Sequence, residues 1–583
     1  MSRTRTRSLA ALAVVLVAAA LLAAGAAAQT VTGSISGTVV DPQKSIVPGA
    51  TVTIVNEATS DSRTAVTDDQ GYFQVTNLQP GNYTARVELT SFRTFERKNI
   101  VLSAGERLSI GTIGLEVGGL GETVTVEARG SHVNTAETQN AGLLTSNQIE
   151  QVQVLGRDVT SLMRLLPGVR YENTVDSLGM SFGTDVPNVG GARRDWSNVI
   201  VDGVVANEVG ATNLMAQQIN LDAISEVRVL LNSYRAEYGR AGGGQVQIVS
   251  KSGGTSYRGN LYYYGRHEAL NATDFFVNRA QAKKPRYRFN TFGANLGGPV
   301  PKMEKKLFFF YSLEAPLVSR PGPLRNWTMP TDAEMRGDFS QTLDAQGRLI
   351  FIRDPLRSGT CSATAGGDAC FPGNIIPADR INSSGRALLN MLPRATNFDR
   401  TFTQGQFNHS TQENAENPKM NNIVRVDWRP SNTDSFYFTF KDWYSDQRGS
   451  EITAGPNKWG FFNTHYLNTD RGGSVNYTKI FRSNLVLDTD AGTRQQTEQF
   501  YPLTQGDWDR INRQNVGFTV GQFHPELNPR NVIPKVNFNV PNSPNFTFDN
   551  RLVDQGEAWL SSVRTNLTWI TGSHSMKAGF YFE

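Results

Sequence analysis

The sequence predicts a mainly β protein with three parts: an N-terminal β-sandwich, a small α+β domain, and the first part of an incomplete antiparallel transmembrane β-barrel. Short segments of alternating apolar and polar residues, separated by turn residues, fill residues 29–117. A glycine-punctuated mixed region occupies residues 131–255, and about nine longer amphipathic segments follow in residues 256–583. The connections between these segments alternate between short and long, as in strands that cross a membrane between tight turns and extended loops.

The composition is that of a folded chain with no sign of a nucleic-acid partner. Charged residues make up 19% and hydrophobic residues 39%, which is typical of a folded protein. The formal net charge is only +4, and arginines near the N-terminus supply most of it. After the N-terminus no apolar run is long enough for a transmembrane helix. The six histidines form no metal-binding pattern, so we expect no metal and no cofactor.

Residues 1–28 have the composition of a signal peptide. Arginines precede an Ala- and Leu-rich stretch, and Ala26-Ala27-Ala28 forms an A-x-A cleavage site. The alternative is a membrane anchor, but the apolar stretch is shorter than a membrane span normally needs. We therefore predict export, with cleavage between Ala28 and Gln29.

The pattern of residues 29–117 is typical of a small β-sandwich. Its short strands are separated by Pro48-Gly49, by the turn DDQG and by Pro80-Gly81. The PGATV, TDDQGYF and LQPGNYTARV segments resemble the carboxypeptidase-regulatory-like domain. The resemblance implies a prealbumin-like β-sandwich and does not imply peptidase activity.

The α+β region contains both helix and strand signals. Residues 145–152 and 157–166 are predicted helices, the second closed by a Pro-Gly pair. Asn198–Val201, residues 224–231 and Gln245–Ser250 are predicted strands because they are rich in β-branched residues. We therefore expect a small mixed domain here.

The turn and glycine motifs of this region resemble a known domain. The VDG turn, the EVRV strand and the AEYGRAGGGQVQIVSKSGG run are similar to the plug domain of TonB-dependent outer-membrane receptors, and to the Oar-like branch in particular. Glycines give such a run backbone freedom and close approach. The resemblance implies the following structural positions in the plug: Asp202, Gly203, Tyr238, Gly239, Gly242, Gly243 and Gly244.

A hinge with a short β-forming segment occupies residues 118–130, between the sandwich and the plug. A Gly-rich stretch precedes the run ETVTVEA, which lies outside any obvious sheet. An exposed strand of this kind can add to the sheet edge of a partner through main-chain hydrogen bonds. By its position the run resembles a TonB box, and the alternative is the last strand of the sandwich. The run, here called the coupling segment, consists of Glu122, Thr123, Val124, Thr125, Val126, Glu127 and Ala128.

Residues 256–583 contain the segments predicted to cross the membrane. Phe436, Phe438 and Phe440 fall on one face of their segment, with polar residues such as Lys441 on the other. This alternation suits a tilted strand with lipid outside and water inside. By number, the predicted strands are 257–268, 286–297, 306–314, 421–429, 434–444, 469–481, 484–496, 558–570 and 574–583.

Further features of the barrel region lead to three predictions. An odd count of about nine strands is unusual for a bacterial barrel, so the chain is interpreted as the N-terminal part of a longer receptor. The consecutive aromatic residues at 262–264 and 308–310 are predicted to form girdles at the membrane boundary. Cys361 and Cys370, in the largest predicted outer loop, are expected to form a disulfide because the compartment is oxidising.

The resemblance implies an outer-membrane TonB-dependent receptor or transporter that imports an unidentified ligand, with energy coupled through the coupling segment. Its partners would be the inner-membrane TonB complex, the outer-membrane lipid and an unknown extracellular ligand. An outer-membrane adhesion or protein-export component of the same architecture is the alternative. We do not expect an enzyme: the G-x-S-x-G match around Ser181 lies in a Gly-, Asn- and Pro-rich loop, without the strand and helix that expose a nucleophile.

Overall fold

The computed structural model describes residues 32–118, 123–127, 139–152, 154–171, 184–210, 214–216, 218–239, 241–279, 284–303, 306–452, 458–482, 484–538, 542–547, 554–571 and 574–583. The predicted signal peptide with Ala28 and Gln29, both ends of the coupling segment at Glu122 and Ala128, and Ser181 lie outside these residues. Within the described ranges, no helix has the length and apolar character needed to cross a membrane.

Eight strands form the N-terminal β-sandwich. They are β1 (Gly33–Val40), β2 (Thr51–Asn56), β3 (Ser62–Val66), β4 (Tyr72–Leu78), β5 (Gly81–Glu88), β6 (Thr94–Leu102), β7 (Arg107–Gly114) and β8 (Thr123–Glu127). One sheet has the strand order β4-β1-β7, and the other has the order β3-β2-β5-β6-β8. Alternate apolar residues from both sheets, among them Ile35, Ile54 and Phe73, share one buried core. The predicted β-sandwich is confirmed.

The coupling segment differs from the expectation that it lies outside a sheet. Its described residues form β8, which runs parallel to β6, from Thr94 opposite Thr123 to Lys98 opposite Glu127. The alternative position, as the last strand of the sandwich, is the one adopted in this structure. A run of alternating threonine and valine fits any half-buried sheet position, so its neighbour is chosen by tertiary packing rather than by local sequence.

The plug region is built on one mixed sheet with short flanking elements. Its elements are β9 (Asn140–Thr145), α1 (Ser146–Gln151), α2 (Val159–Leu162), β10 (Val169–Arg170), β11 (Thr184–Asp185), β12 (Asn188–Val189), β13 (Asn198–Val201), β14 (Val204–Val205), β15 (Leu214–Met215), β16 (Ile224–Asn232) and β17 (Gln245–Ser250). The five-stranded sheet has the order β14-β13-β17-β16-β9. β13 is parallel to β17, whereas β16 is antiparallel to both β17 and β9. The predicted strands and helices are present, and Val246 and Ile248 lie in the buried core.

Nine long strands form one antiparallel sheet, here called the wall, which is a partial barrel. The remaining strands among the described residues are β18 (Arg258–His267), β19 (Arg288–Pro299), β20 (Leu307–Pro321), β21 (Arg325–Trp327), β22 (His409–Thr411), β23 (Asn414–Trp428), β24 (Asp434–Gly449), β25 (Thr464–Arg482), β26 (Leu485–Pro502), β27 (Asp554–Thr571) and β28 (His574–Phe582). β21 and β22 pair with each other, and the wall has the order β18-β19-β20-β23-β24-β25-β26-β27-β28. The predicted number of wall strands is confirmed.

Wall strands extend further than predicted on the side of the long loops. β23 begins at Asn414 rather than at 421, β24 ends at Gly449 rather than at 444, and β26 ends at Pro502 rather than at 496. Beyond the lipid-facing band the side chains no longer need to alternate between lipid and water. Backbone pairing continues there, because each strand still completes its hydrogen bonds with its neighbours.

Side chains on the wall alternate between two faces, as predicted for residues 434–444. Tyr437 and Lys441 are buried toward the plug, whereas Phe440 is 51% exposed on the outer face. The girdle prediction is wrong for the inward positions: Phe308 and Phe310 are buried, and Phe310 packs in the plug core. Three consecutive aromatic residues cannot all face lipid, because successive strand residues point to opposite faces.

The long loops that follow β20, β24 and β26 fold together on one side of the wall. Their helices, and one in the loop after β18, are α3 (Phe275–Arg279), α4 (Asp332–Met335), α5 (Ser383–Asn390), α6 (Arg400–Thr403), α7 (Gln505–Ile511) and α8 (Arg513–Val516). Leu388, Phe462 and Phe546, one from each of the three loops, share a buried apolar cluster. Cys361 and Cys370 form a disulfide in the first of these loops, with their Cα atoms 5.1 Å apart.

Candidate functional site where the plug meets the wall and the sandwich

The turn between β13 and β14 carries a buried carboxylate. Asp202 and Gly203 have φ values of 45° and 89°, as in a type I′ turn, for which Asp-Gly is a favoured pair. Oδ1 of Asp202 accepts hydrogen bonds from the backbone N–H and the hydroxyl of Ser250 on β17, at 2.8 and 3.0 Å. Its Oδ2 lies 2.9 Å from Nζ of Lys441 on β24. The turn therefore ties two plug strands to the wall.

Arg425 on β23 completes this charged cluster. It pairs with Asp427 at 2.9 Å and donates to the backbone carbonyl of Ser250 at 3.1 Å. Burial by itself raises the pKa of Asp202, but the positive charges of Lys441 and Arg425 outweigh burial and hold that pKa below its usual range. The carboxylate is therefore ionised at neutral pH, and the plug and the wall share a buried ion pair.

A second charged cluster surrounds Arg157 of the plug. Its guanidinium donates to Glu314 on β20 at 3.0 Å and also to Asp222 within the plug. Tyr262 on β18 donates its hydroxyl to Glu314 at 2.9 Å, and the ring centroid of Tyr264 lies 4.3 Å from Cζ of Arg157. One plug cation thus bridges a plug carboxylate and a buried wall carboxylate.

Further polar contacts connect the same two surfaces. Lys419 on β23 donates to the side-chain oxygen of Gln218 at 3.0 Å, and the Asn220 amide donates to the Ser312 hydroxyl at 2.6 Å. Water can replace such partners when two surfaces separate, so a polar interface is more easily opened than an apolar core. The described contacts that hold the plug against the wall are therefore of a kind that allows the plug to separate from the wall.

The predicted glycine positions lie where the plug backbone packs tightly. A Cβ on Gly244 would lie 2.2 Å from Cγ1 of Val189, and one on Gly243 would lie 2.9 Å from the carbonyl oxygen of Trp196. Tyr238 is buried, and the Gln245 amide donates to the carbonyl of Gly239 at 3.0 Å. At Gly243 and Gly244 the reason for glycine is therefore close approach rather than a left-handed backbone.

We expect Gly244→Ala to lower the free energy of plug opening by about 1–3 kcal/mol, because the added methyl group overlaps Val189. The measurement is hydrogen exchange of the β17 amides, which reports local opening. Gly239→Ala is the matched control, since nothing lies within 4 Å of a Cβ added there. Equal exchange in the two variants would contradict the close-packing explanation.

The sandwich docks on the plug through the turn between β6 and β7. The backbone N–H of Ala104 donates to the carboxylate of Glu226, and Arg228 donates to the Ala104 carbonyl. Arg235 donates to the carbonyl of Gly105 at 2.7 Å. Since Glu226 and Arg228 both lie on β16, the sandwich is held against one strand of the plug sheet.

The sandwich also contacts the short-turn edge of the wall, here called the rim, which comprises Arg429 and the turn 430–433 after β23. The Arg429 guanidinium donates to the hydroxyl of Thr59 at 2.8 Å. Arg63 of the sandwich donates to the backbone carbonyl of Asn432 at 2.9 Å. The sandwich is thus bonded to the plug and to the wall at separate places.

We expect sandwich docking to weaken as pH rises. Burial raises the pKa of Glu226 to about 7, although the Ala104 N–H and Arg228 lower it and nearby Glu106 raises it further. An undocked glutamate has a pKa near 4.5, so docking takes up a proton between these two values and loses stability as pH rises through them. The expected loss between about pH 5.5 and pH 8 is about 2 kcal/mol, roughly thirtyfold in the docking equilibrium.

This pH dependence can be measured by single-molecule energy transfer between dyes on the sandwich and on the wall. Glu226→Gln should remove the dependence, because the amide does not titrate over this range. Glu88→Gln, at a half-buried sandwich position that pairs with Arg86, is the control and should retain it. Docking that strengthens with pH would show that the carboxylate is ionised in the docked state.

The structure brings together only part of the predicted set of site residues. Asp202 and Gly203 form the turn that meets the wall, whereas the coupling segment lies on the sandwich. Sequence patterns do not single out Arg157 or Glu226, because their partners are distant in the chain. Strand alternation does place Lys441 on the inward face, and an inward lysine was the available signal for a charged partner in the plug. Among the described residues, no cluster of potential ligands could hold a metal ion.

Comparison with known proteins assigns each part of the chain. Residues 249–583 match the outer membrane beta barrel domain, residues 133–246 the TonB-dependent receptor plug domain, and residues 34–116 the carboxypeptidase regulatory-like domain. The TonB-dependent transporter Oar of Myxococcus xanthus is 28% identical to this chain over 312 residues. That alignment covers 51% of this chain and 28% of Oar.

Two solved structures are also similar to the chain. The outer membrane transporter YddB from Escherichia coli has 11% identity and a TM-score of 0.43, over 75% of this chain and 47% of that one. The siderophore receptor PirA from Acinetobacter baumannii has 11% identity and a TM-score of 0.36, over 74% of this chain and 45% of that one. The chain therefore spans less than half the length of each of these relatives.

The barrel match extends over more than half of the chain, and the plug match lies directly before it. These domains place the protein in the outer membrane of a Gram-negative bacterium. The chain belongs to the TonB-dependent outer-membrane receptors, of the Oar-like type, and carries an N-terminal carboxypeptidase-regulatory-like domain.

Proposed function

We propose that the full-length protein imports a ligand across the outer membrane with energy delivered by the inner-membrane TonB complex. The long loops and the outer surface of the plug bind the ligand, and TonB captures the coupling segment by strand addition. The observation that supports this proposal is the way the plug is held. Its described contacts with the wall include ion pairs at Asp202 and Arg157 rather than an uninterrupted apolar core.

Traction on the coupling segment acts on the plug through the chain that follows it. β8 ends at Glu127, and the next described strand, β9, begins at Asn140. β9 is the edge strand of the plug sheet and pairs only with β16 among the described strands. An edge strand can leave a sheet by losing one ladder instead of two, so a pull transmitted along the chain removes β9 before it disturbs the central strands.

Capture of TonB by the full-length receptor tests this proposal. The probe is the purified periplasmic domain of TonB from the same bacterium, added to the detergent-solubilised receptor so that its periplasmic face is accessible, and surface display is followed on intact cells. Deleting residues 122–128 should abolish capture and leave surface display intact. A variant with Thr125→Ser keeps the main-chain donors and acceptors that strand addition uses, and it should bind as the parent protein does.

The same deletion separates import from the alternative function. An adhesion or protein-export component would keep its surface activity without residues 122–128 and would show no dependence on TonB. Capture that survives the deletion would contradict the assignment of this segment as the site of energy coupling.

A further inference from the structure

We infer that the β6–β8 ladder is a mechanical latch. While β8 remains paired with β6, a pull on the coupling segment is carried by the sandwich and the rim; only after the ladder parts does the pull reach the plug. This inference rests on the proposed function, because it assumes that TonB pulls on residues 122–128.

The first support for the latch is the pairing of β8. All five of its described residues have register partners on β6, from Thr94 to Lys98. β8 is the last strand of its sheet, so this single ladder is what joins it to the sandwich among the described strands. Residues 123–127 of the coupling segment are therefore held by main-chain pairing with β6, and TonB does not meet them as a free chain.

The second support is the attachment of the sandwich to the rim. Arg429 bonds Thr59 at 2.8 Å, and Arg63 bonds Asn432 at 2.9 Å. Both wall residues follow β23, which is paired with β20 on one side and with β24 on the other. A sandwich bonded here is anchored to a part of the protein that stays in the membrane when the plug moves.

The order of the segments along the chain decides whether a pull on the coupling segment is carried through the sandwich to the rim or directly to the plug. The direct path to the plug runs from Glu127 through the connecting residues to Asn140 on β9. This path bears no load while β8 stays on β6, because the ladder lies before it and ends on an anchored domain. The hydrogen bond from Ala104 to Glu226 also joins the sandwich to the plug. The hydrogen bonds between the sandwich and the rim share any force that reaches the sandwich.

A disulfide across the ladder tests the latch in the full-length protein. Glu96 and Thr125 are register partners on β6 and β8, and neighbouring strands lie about 4.8 Å apart, within the Cα separations that disulfides span. The matched control pairs Glu96 with Arg86, its partner on β5, and leaves β8 free. Within residues 1–583 the two cysteines are already bonded to each other, so neither of them competes with the engineered pairs.

The readout is force spectroscopy on the receptor in a supported bilayer with its periplasmic face toward the pulling tip, which carries the TonB periplasmic domain. In oxidised E96C/T125C, we expect the TonB contact to rupture with no extension of the plug. Reduction of this pair should restore plug extension. Oxidised R86C/E96C should give plug extension like the parent protein. Plug extension from oxidised E96C/T125C would overturn the latch and leave the proposed function standing, whereas failure of TonB to capture the parent protein would overturn both.

Hydrogen exchange tests the latch without any engineered disulfide and without TonB. The ladder predicts that those amides of residues 123–127 that point toward β6 exchange at least tenfold more slowly than in a peptide of the same sequence. Exchange at the peptide rate in the intact protein would overturn the latch, whatever the outcome of the deletion of residues 122–128.

Discussion

Asp202→Asn is expected to lower the free energy of plug opening by about 3–5 kcal/mol, because it removes the carboxylate that pairs directly with the buried ammonium of Lys441. The asparagine side chain still offers an oxygen to the N–H and hydroxyl of Ser250, so the turn keeps its hydrogen bonds. The loss therefore reports the ion pair between plug and wall rather than the turn itself. Removal of one partner from a buried pair costs more than the pair contributes, since the remaining charge stays desolvated.

Hydrogen exchange of the β13 and β17 amides measures this effect. Asp195→Asn is the matched control: Asp195 pairs with the exposed Arg193, and an exposed ion pair contributes about 0–1 kcal/mol. Acid provides a second readout. Because the pKa of Asp202 is lowered in the folded plug, its contribution is present above the unfolded pKa and is lost as pH falls through the folded value. The asparagine variant should lack this acid-dependent loss, and an unchanged acid response would exclude Asp202 as its origin.

Arg157→Met is expected to have an effect of similar size, about 3–5 kcal/mol, at the other charged cluster. Methionine keeps much of the aliphatic volume but removes the cation that Glu314 and Asp222 share. Glu314 is buried on the inner face of β20, so its carboxylate would keep the hydrogen bond from the Tyr262 hydroxyl but lose its counter-charge. Two carboxylates that shared one cation would also repel each other across the plug surface.

A double-mutant cycle with Glu314→Gln isolates the contact between plug and wall. If Arg157 acts mainly through Glu314, the double variant should recover at least about 1 kcal/mol relative to the sum of the single variants. Arg193→Met serves as the control, because its ion pair with Asp195 is exposed and should contribute little. Strict additivity of Arg157→Met and Glu314→Gln would assign the effect of Arg157 to Asp222 within the plug instead.

Loop lengths alone do not explain why the long loops after β20, β24 and β26 fold together. Trp459 and Phe461 follow β24, Ile511 and Ile533 follow β26, and all four belong to one buried cluster. Apolar residues in these loops are separated from their partners by tens to hundreds of positions, so no local period marks them. Alternating loop lengths predict which side of the wall the loops occupy, and packing among the loops then determines their structure.

The sequence by itself determined the parts of this protein in which a single local rule applies. Wall strands follow from the alternation that lipid on one side and a polar interior on the other require, and Phe440 and Lys441 obey it. The Asp202-Gly203 turn follows from the left-handed backbone that a tight hairpin needs. Neither feature depends on which distant residue packs against it.

Only the tertiary structure decided the pairings. Lys441 meets Asp202 across hundreds of residues of chain, and β8 joins β6 although its own sequence would suit many sheet edges. Charge partners and strand neighbours are chosen when separate elements dock, because burial removes water as the competing partner. For this reason the sequence predicts the strands and the turn, whereas the contacts that hold the plug and the coupling segment appear only once the chain is folded.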